Sequence, residues 1–198
     1  MQRATIGRMA EDRLHFTGDD EADKLLVSEP MALLIGFAVD QQVPVQWAFS
    51  APKVLRDRLG TLDARAIAAM DVSAVEAAAK GPPAIHRFPS AMARRIHELA
   101  SHIASAYGGD AAHVWADASD GKELQKRLAA LPGFGPMKVA SVTAVLANRL
   151  GVRPPGIEAV LPMHPTLGDV DSPEALAEYQ AKKRAHKAAM RATGGPEA

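Results

Sequence analysis

The sequence predicts an all-α protein. Three observations carry that expectation. Apolar residues recur at helical spacing along most of the chain. The breaks fall at glycine and proline, at Gly60, Gly81-Pro82-Pro83, Gly108-Gly109 and Gly151. One segment, Pro30 to Gln42, is apolar nearly all round, which marks a central buried helix. About nine helices with little or no sheet are expected, forming one unit over residues 1–198 or two closely packed helical subdomains. No internal repeat or low-complexity tract interrupts the pattern.

Composition narrows the class further. The chain has 198 residues, 47% of them apolar, enough to bury a core and unlike a disordered segment. Lys+Arg and Asp+Glu each number 23, so no global charge announces a nucleic-acid partner. A DNA-binding surface would have to arise by local segregation of charge. The absence of cysteine excludes structural disulfides, thiolate zinc sites and cysteine-ligated iron–sulfur clusters. No apolar run reaches the ~18 residues of a membrane span, and the N-terminus lacks a signal-peptide core, so a cytoplasmic protein without a membrane partner is expected.

In chain order, residues 1–20 carry Arg3, Arg8, Glu11, Asp12, Arg13, Asp19 and Asp20 with little periodicity. Leu14 to Thr17 reads as a short strand or an ordered arm. Glu21 to Val27 reads as a short helix ending before Pro30. After the apolar helix comes Asp40-Gln41-Gln42-Val43-Pro44. Pro44 to Leu59 restarts as an amphipathic helix, with Trp47, Ala48, Val54, Leu55 and Leu59 inward and Gly60 as its stop. Asp63 and Asp71 open two short helices, 63–70 and 72–80. Ser90 is the expected cap of a long helix to Tyr107. Its buried stripe is Met92, Ile96, Leu99, Ile103 and Ala106, with Arg94, Arg95, Glu98 and His102 outside. A short helix or turn, 113–118, contains Trp115.

The most informative stretch is Leu131-Pro132-Gly133-Phe134-Gly135-Pro136-Met137-Lys138. Upstream, Leu124, Leu128 and Leu131 share one helical face. Downstream, Val139, Val142, Val145, Leu146 and Leu150 do the same. Pro136 falls where a first helical residue would go. A glycine hairpin at a helix N-terminus gathers unpaired N–H groups at the positive end of the helix dipole, an arrangement that suits a phosphate oxygen. After Gly151 the segment 152–171 holds four prolines and reads as an ordered irregular loop, long enough to be functional or packed across a face. A last helix runs from Ser172-Pro173-Glu174 to about Arg191, with Lys182, Lys183, Arg184, Lys187 and Arg191 as its basic residues, and the tail 192–198 is expected to fray. Five of the seven histidines (His86, His97, His102, His113, His164) show no metal-ligand spacing and read as surface or core residues. Phosphate-binding P-loop, Rossmann and Gly-x-Ser-x-Gly patterns are absent.

Leu-Pro-Gly-Phe-Gly, with the order "apolar helix, Gln-Gln, β-branched residue, new helix" before it, resembles the helix-hairpin-helix (HhH-GPD) superfamily of base-excision DNA glycosylases. The resemblance covers most of 30–151, with the hairpin unit at 121–151. It implies a helical fold around a central cleft and a monomer that binds double-stranded DNA. It implies that the amides of Gly133, Gly135 and Met137 grip a backbone phosphate, with Phe134 and Lys138 beside them. It implies that Gln41 and Gln42 enter the minor groove where a base has flipped out. The carbonyls of Leu131 and Phe134 would hold a monovalent cation, K+ or Na+. No other cofactor is implied, and without cysteine the iron–sulfur cluster of many relatives is missing.

The resemblance also implies a catalytic carboxylate at a helix start, after a Gly/Pro-rich loop. Here the acids in reach are Asp169 and Asp171 before the last helix, Glu158 in the loop, and Asp40 at the end of the apolar helix. The family's bifunctional members carry a lysine two residues after the second hairpin glycine. That position is Met137, and Lys138 follows, rotated about 100° further round the helix. Lys138 therefore reads first as a phosphate-contacting or solvated lysine and only second as a nucleophile. Two functions remain: a monofunctional DNA N-glycosylase, or a non-catalytic, damage-sensing relative.

Overall fold

A computed structural model describes residues 11–192. Among these the protein is all helical, as the periodicity predicts. Its ten α-helices are α1 (Asp20–Ser28), α2 (Pro30–Val39), α3 (Val45–Leu59), α4 (Ala64–Ala69), α5 (Val72–Lys80), α6 (Pro89–Ala106), α7 (His113–Ala116), α8 (Gly121–Ala129), α9 (Pro136–Asn148) and α10 (Pro173–Ala192). Two 3₁₀ turns, Ile157–Ala159 and Leu167–Asp169, interrupt the proline-rich loop. No described helix is long and apolar enough to cross a membrane. The expectations for Arg3, Arg8 and the tail beyond Ala192 lie outside the described residues.

α2 is the centre. Every one of its residues from Met31 to Val39 is buried, and α1, α3 and α6 pack around it. The approach of α3 depends on Gly36. A Cβ built there would lie 2.5 Å from the Phe49 ring, which stands edge-on to Phe37 at 5.0 Å and to Phe16 at 4.9 Å. α4 and α5 cover α6, and α8 and α9 form the second helical pair. The turn 167–169 packs on α9, where a Cβ on Gly168 would meet the Ala144 backbone at 2.5 Å. Of the two readings of Leu14 to Thr17, the structure shows the ordered arm and not the strand. Leu14 and Phe16 are fully buried, so the segment joins the core as irregular chain.

Several expected details change. Trp47 is not inward: it is 40% exposed, and its indole N–H donates to the Ala84 carbonyl at 3.1 Å. Ala106 is exposed, because α6 ends there and its stripe stops at Ile103. Ser90 does not cap α6. Pro89 occupies the first turn, and Phe88 stands at the cap without a side-chain bond. Asp63, Asp71 and Asp120 do cap α4, α5 and α8, each accepting an N–H of the first turn. At the start of α10, Ser172 Oγ accepts the Ala175 N–H at 3.1 Å.

The buried arm needs an acceptor, and Asp23 provides it. Its Oδ1 accepts the N–H groups of Phe16 (3.1 Å) and Thr17 (3.0 Å). Burial pushes this carboxyl above its ordinary range, and the N–H donors only partly offset that. Asp23→Asn keeps the acceptor without the buried charge, so it should leave stability at pH 7 unchanged or raised. Asp23→Ala strands the buried Phe16 amide and the part-buried Thr17 amide and should cost about 1–3 kcal/mol in urea denaturation.

Candidate functional site

The site is built at the C-terminal end of α2. The helix stops at Val39, leaving terminal carbonyls to satisfy. Asp40 turns the chain with φ −66° and ψ 76°, and the Gln41 N–H donates back to the Val39 carbonyl at 2.6 Å, an inverse γ-turn. Gln42 then adopts φ 58°, the left-handed region, and it is the one non-glycine residue with positive φ among those described. Both glutamine side chains are exposed. The glutamine pair thus sits on a short, strained protrusion between α2 and α3.

Three distant residues hold that protrusion. His86, buried at 2% exposure, places Nε2 2.8 Å from the Gln41 carbonyl, while its Nδ1 accepts the Phe88 N–H at 2.9 Å. The second bond requires the Nε2–H tautomer, so the ring donates to Gln41. His86 is itself positioned by α3. Arg58 donates to the carbonyls of Ala78, Gly81 and Pro83 at 2.6–2.9 Å, fixing the chain between α5 and α6 together with Trp47. Arg95 donates to Gln41 Oε1 at 2.6 Å, and its stem lies against Gly133, where a Cβ would approach Cδ to 2.8 Å. Lys138 donates from Nζ to the Ala38 carbonyl at 3.1 Å.

The hairpin has the shape its glycines predict. Gly133 has φ 79°, Leu131 and Phe134 are buried beneath the turn, and Met137 stands 76% exposed. Gly135 is the N-cap of α9 with φ −78°, a conformation open to any residue, and a Cβ there would meet nothing within 4 Å. It contributes no side-chain cap, and the first intrahelical donor of α9 is Val139. The Met137 and Lys138 amides before it are the donors a helix start leaves over.

Lys138 is not the solvated lysine its position suggested. It is half-buried, and its ammonium faces the C-terminal carbonyls of α2, the negative end of that helix. Desolvation, then the Arg95 charge, lower its pKa to about 8, and the Asp40 carboxylate opposes the fall. Asp40 is the complement. Burial raises its pKa, while Lys183 of α10 and Lys138 act to keep it ionised. Tyr179 of α10 also feels Asp40. Of the four candidate acids, Asp40 is thus the one coupled to the hairpin lysine.

The others have different tasks. Asp169 closes a capping box, its Oδ2 accepting the Thr166 N–H at 2.7 Å. Asp171 lies 3.8 Å from the guanidinium of Arg149, a side chain 1% exposed that also pairs with Glu11 at 3.1 Å. Glu158 pairs with Arg153 at 3.0 Å in a turn packed on α8. His86, Arg95, Tyr179 and Lys183 were not singled out from sequence. Each acts across the fold, so no local spacing signals it.

No protein-family model matches this chain, and no curated protein matches it significantly. The structure by itself defines the class: an all-α protein in which a glycine hairpin between α8 and α9 faces a polar turn at the end of a buried helix.

Two predictions follow from this geometry. Lys138 should titrate near pH 8, observable as the ¹³Cε shift of labelled lysine, with the ammonium lost above that pH. Below it the fold carries a desolvated charge, and as pH rises through 8 towards 10.5 that cost is relieved. Asp40→Asn removes the group that holds the ammonium charged, so the midpoint should fall further; an unchanged midpoint would mean the two are not coupled. Gln42→Gly should raise stability by about 1 kcal/mol by relieving the left-handed strain. No gain in denaturation would show that contacts of the side chain, not the backbone, set residue 42.

Proposed function

We propose that this chain is a DNA-binding protein of base-excision type, related to the HhH-GPD glycosylases, acting as a monomer and as a monofunctional N-glycosylase with Asp40 as its carboxylate. One observation carries the reading. Lys138, in the first turn after the hairpin, meets Ala38 at the end of α2, 100 residues away in sequence. The hairpin, the glutamine pair and one desolvated carboxylate therefore belong to one surface.

On this reading the N–H groups at Gly133, Gly135 and Met137 take a duplex phosphate, which positions DNA without reading sequence. Gly135 is open space, so an oxygen can approach the backbone there. Gln41 and Gln42 fill the duplex where a nucleotide has swung out. The Leu131 carbonyl already accepts the Phe134 N–H at 3.1 Å and keeps one lone pair for a monovalent cation shared with the Phe134 carbonyl.

Breaking the glycosidic bond leaves positive charge on the sugar, and water then adds to it. A carboxylate in a water-poor site stabilises that charge. Asp40 has the burial for this task and two ammonium neighbours that favour its ionised form. Lys138 is turned to the Ala38 carbonyl rather than towards open groove, which supports a monofunctional enzyme without a Schiff base.

The test is single-turnover excision on uracil, alkylated and oxidised bases by Asp40→Asn, Glu158→Gln, Asp169→Asn and Asp171→Asn. Asp40→Asn alone should slow excision about 10²–10³-fold, equivalent to about 3–4 kcal/mol, with duplex affinity within a few-fold of wild type. Gly135→Val should fold normally yet lose duplex affinity. A wild type that binds duplex but excises nothing would favour the non-catalytic, damage-sensing reading. Gly135→Val with full affinity would remove the phosphate grip.

A further inference from the structure

α6 carries two adjacent arginines with different tasks. Arg94 is exposed, and its Nε donates to Glu76 of α5 at 3.2 Å. One step along a helix turns a side chain by about 100°, so Arg95 faces elsewhere, onto the hairpin. A Cβ built on Gly133 would lie 2.8 Å from Arg95 Cδ, 2.9 Å from its Nε and 3.4 Å from its Cζ. Glycine at 133 therefore does more than allow the left-handed φ of 79°: it lets the arginine lie against the turn. From there Nη1 donates to Gln41 Oε1 at 2.6 Å. One side chain thus touches both parts of the candidate site, the hairpin and the glutamine protrusion.

Both ends of that bond are fixed by other contacts. The Gln41 backbone is held by its own γ-turn and by His86. The Arg95 stem is held by the hairpin. The bond therefore costs less side-chain entropy than an ordinary exposed pair. A guanidinium only donates, so the Gln41 amide must turn its oxygen to Arg95, which leaves its NH2 to donate elsewhere. Among the described residues, Arg95 pairs with no carboxylate and has no second acceptor. Its neighbour in charge is another cation, Lys138, whose ammonium it disfavours. An arginine beside a lysine, with N–H groups to spare and no counter-charge, has the chemistry to take an anion.

We propose that Arg95 is the positioning residue of the glutamine protrusion, bridging the Gln41 side-chain oxygen to a DNA phosphate seated on the hairpin. The inference rests on the DNA reading given above and names the residue that couples its two halves. With the phosphate in place the guanidinium is fixed by two acceptors, and it fixes Gln41 in turn. The Gln41 NH2 then donates to minor-groove acceptors, which every base pair presents, so the glutamine is set without a preference for sequence.

The experiment uses the full chain with an intact duplex and a duplex carrying one tetrahydrofuran abasic site. Arg95→Met keeps an unbranched stem over Gly133 and removes the guanidinium, with an unchanged thermal midpoint as the check on folding. It should lose about tenfold of the preference for the abasic duplex. The slope of log affinity against log salt should fall by about one phosphate contact. In a Gln41→Ala background, Arg95→Met should lower the slope in the same way and take no further preference. Arg95→Lys should keep the slope without the preference, because an ammonium lacks the fork that spans two acceptors. In the protein without DNA, ¹⁵N relaxation should show the Gln41 side-chain amide ordered in wild type and mobile in Arg95→Met. Equal loss of preference with and without Gln41, an unchanged slope in Arg95→Met, or the same amide relaxation in both proteins overturns the bridge while duplex binding persists. A wild type that binds neither duplex overturns this inference and the DNA reading together.

Discussion

The arrangement depends on how one buried helix ends. α2 lies in the core along its whole length, so its last carbonyls emerge where water is scarce. A buried helix end without partners is expensive. Here one partner comes from the turn itself, the Gln41 N–H on Val39, and two come from far along the chain, the Lys138 ammonium on Ala38 and the His86 ring on the Gln41 carbonyl. Satisfying α2 brings the hairpin helix and the start of α6 to the same place. The site is a by-product of that requirement, and its polarity follows from it.

Close backbone approach sets the rest of the frame. Gly36 lets the Phe49 ring sit on α2, and Gly168 lets the second 3₁₀ turn sit on α9. The second contact is the less forgiving, since the obstacle to a Cβ is main chain rather than a ring that can turn. Through it the proline-rich loop is pressed onto the hairpin helix, and α10, which follows the loop, meets α3 through Gln180 and Gln46. Arg149 closes the loop from beneath. It is fully buried, directly precedes the loop, and meets Asp171 at its far end and Glu11 of the N-terminal arm. Breaking such a buried pair leaves an uncompensated charge, which explains why the loop's ends stay together.

The same electrostatics sort the carboxylates. Asp169 closes a cap, Asp171 faces the buried Arg149, and Glu158 pairs with Arg153 at the surface. Asp40 has burial as its largest influence and ammonium groups only as a counterweight. Desolvation without a dedicated structural partner is the environment in which a carboxylate acts on a developing charge rather than on its own fold.

Much of the fold is legible in the sequence because it follows from local rules. Helical periodicity gave α6 nearly to the residue and located α2, α8 and α9, and aspartates at 63 and 71 marked helix starts that the structure keeps. The glycine hairpin was legible for the same reason: Gly133 needs a left-handed backbone, and Pro136 tolerates only a first turn. Trp47 was expected inward and Lys138 solvated or on a phosphate, and each of them owes its place to a partner dozens of residues away. Periodicity says which face of a helix is buried. It does not say which side chain will meet a carbonyl 100 residues distant, or which of four acids will lose its water. Those outcomes depend on how the end of α2, the hairpin and α10 pack together, and only the tertiary structure decides that.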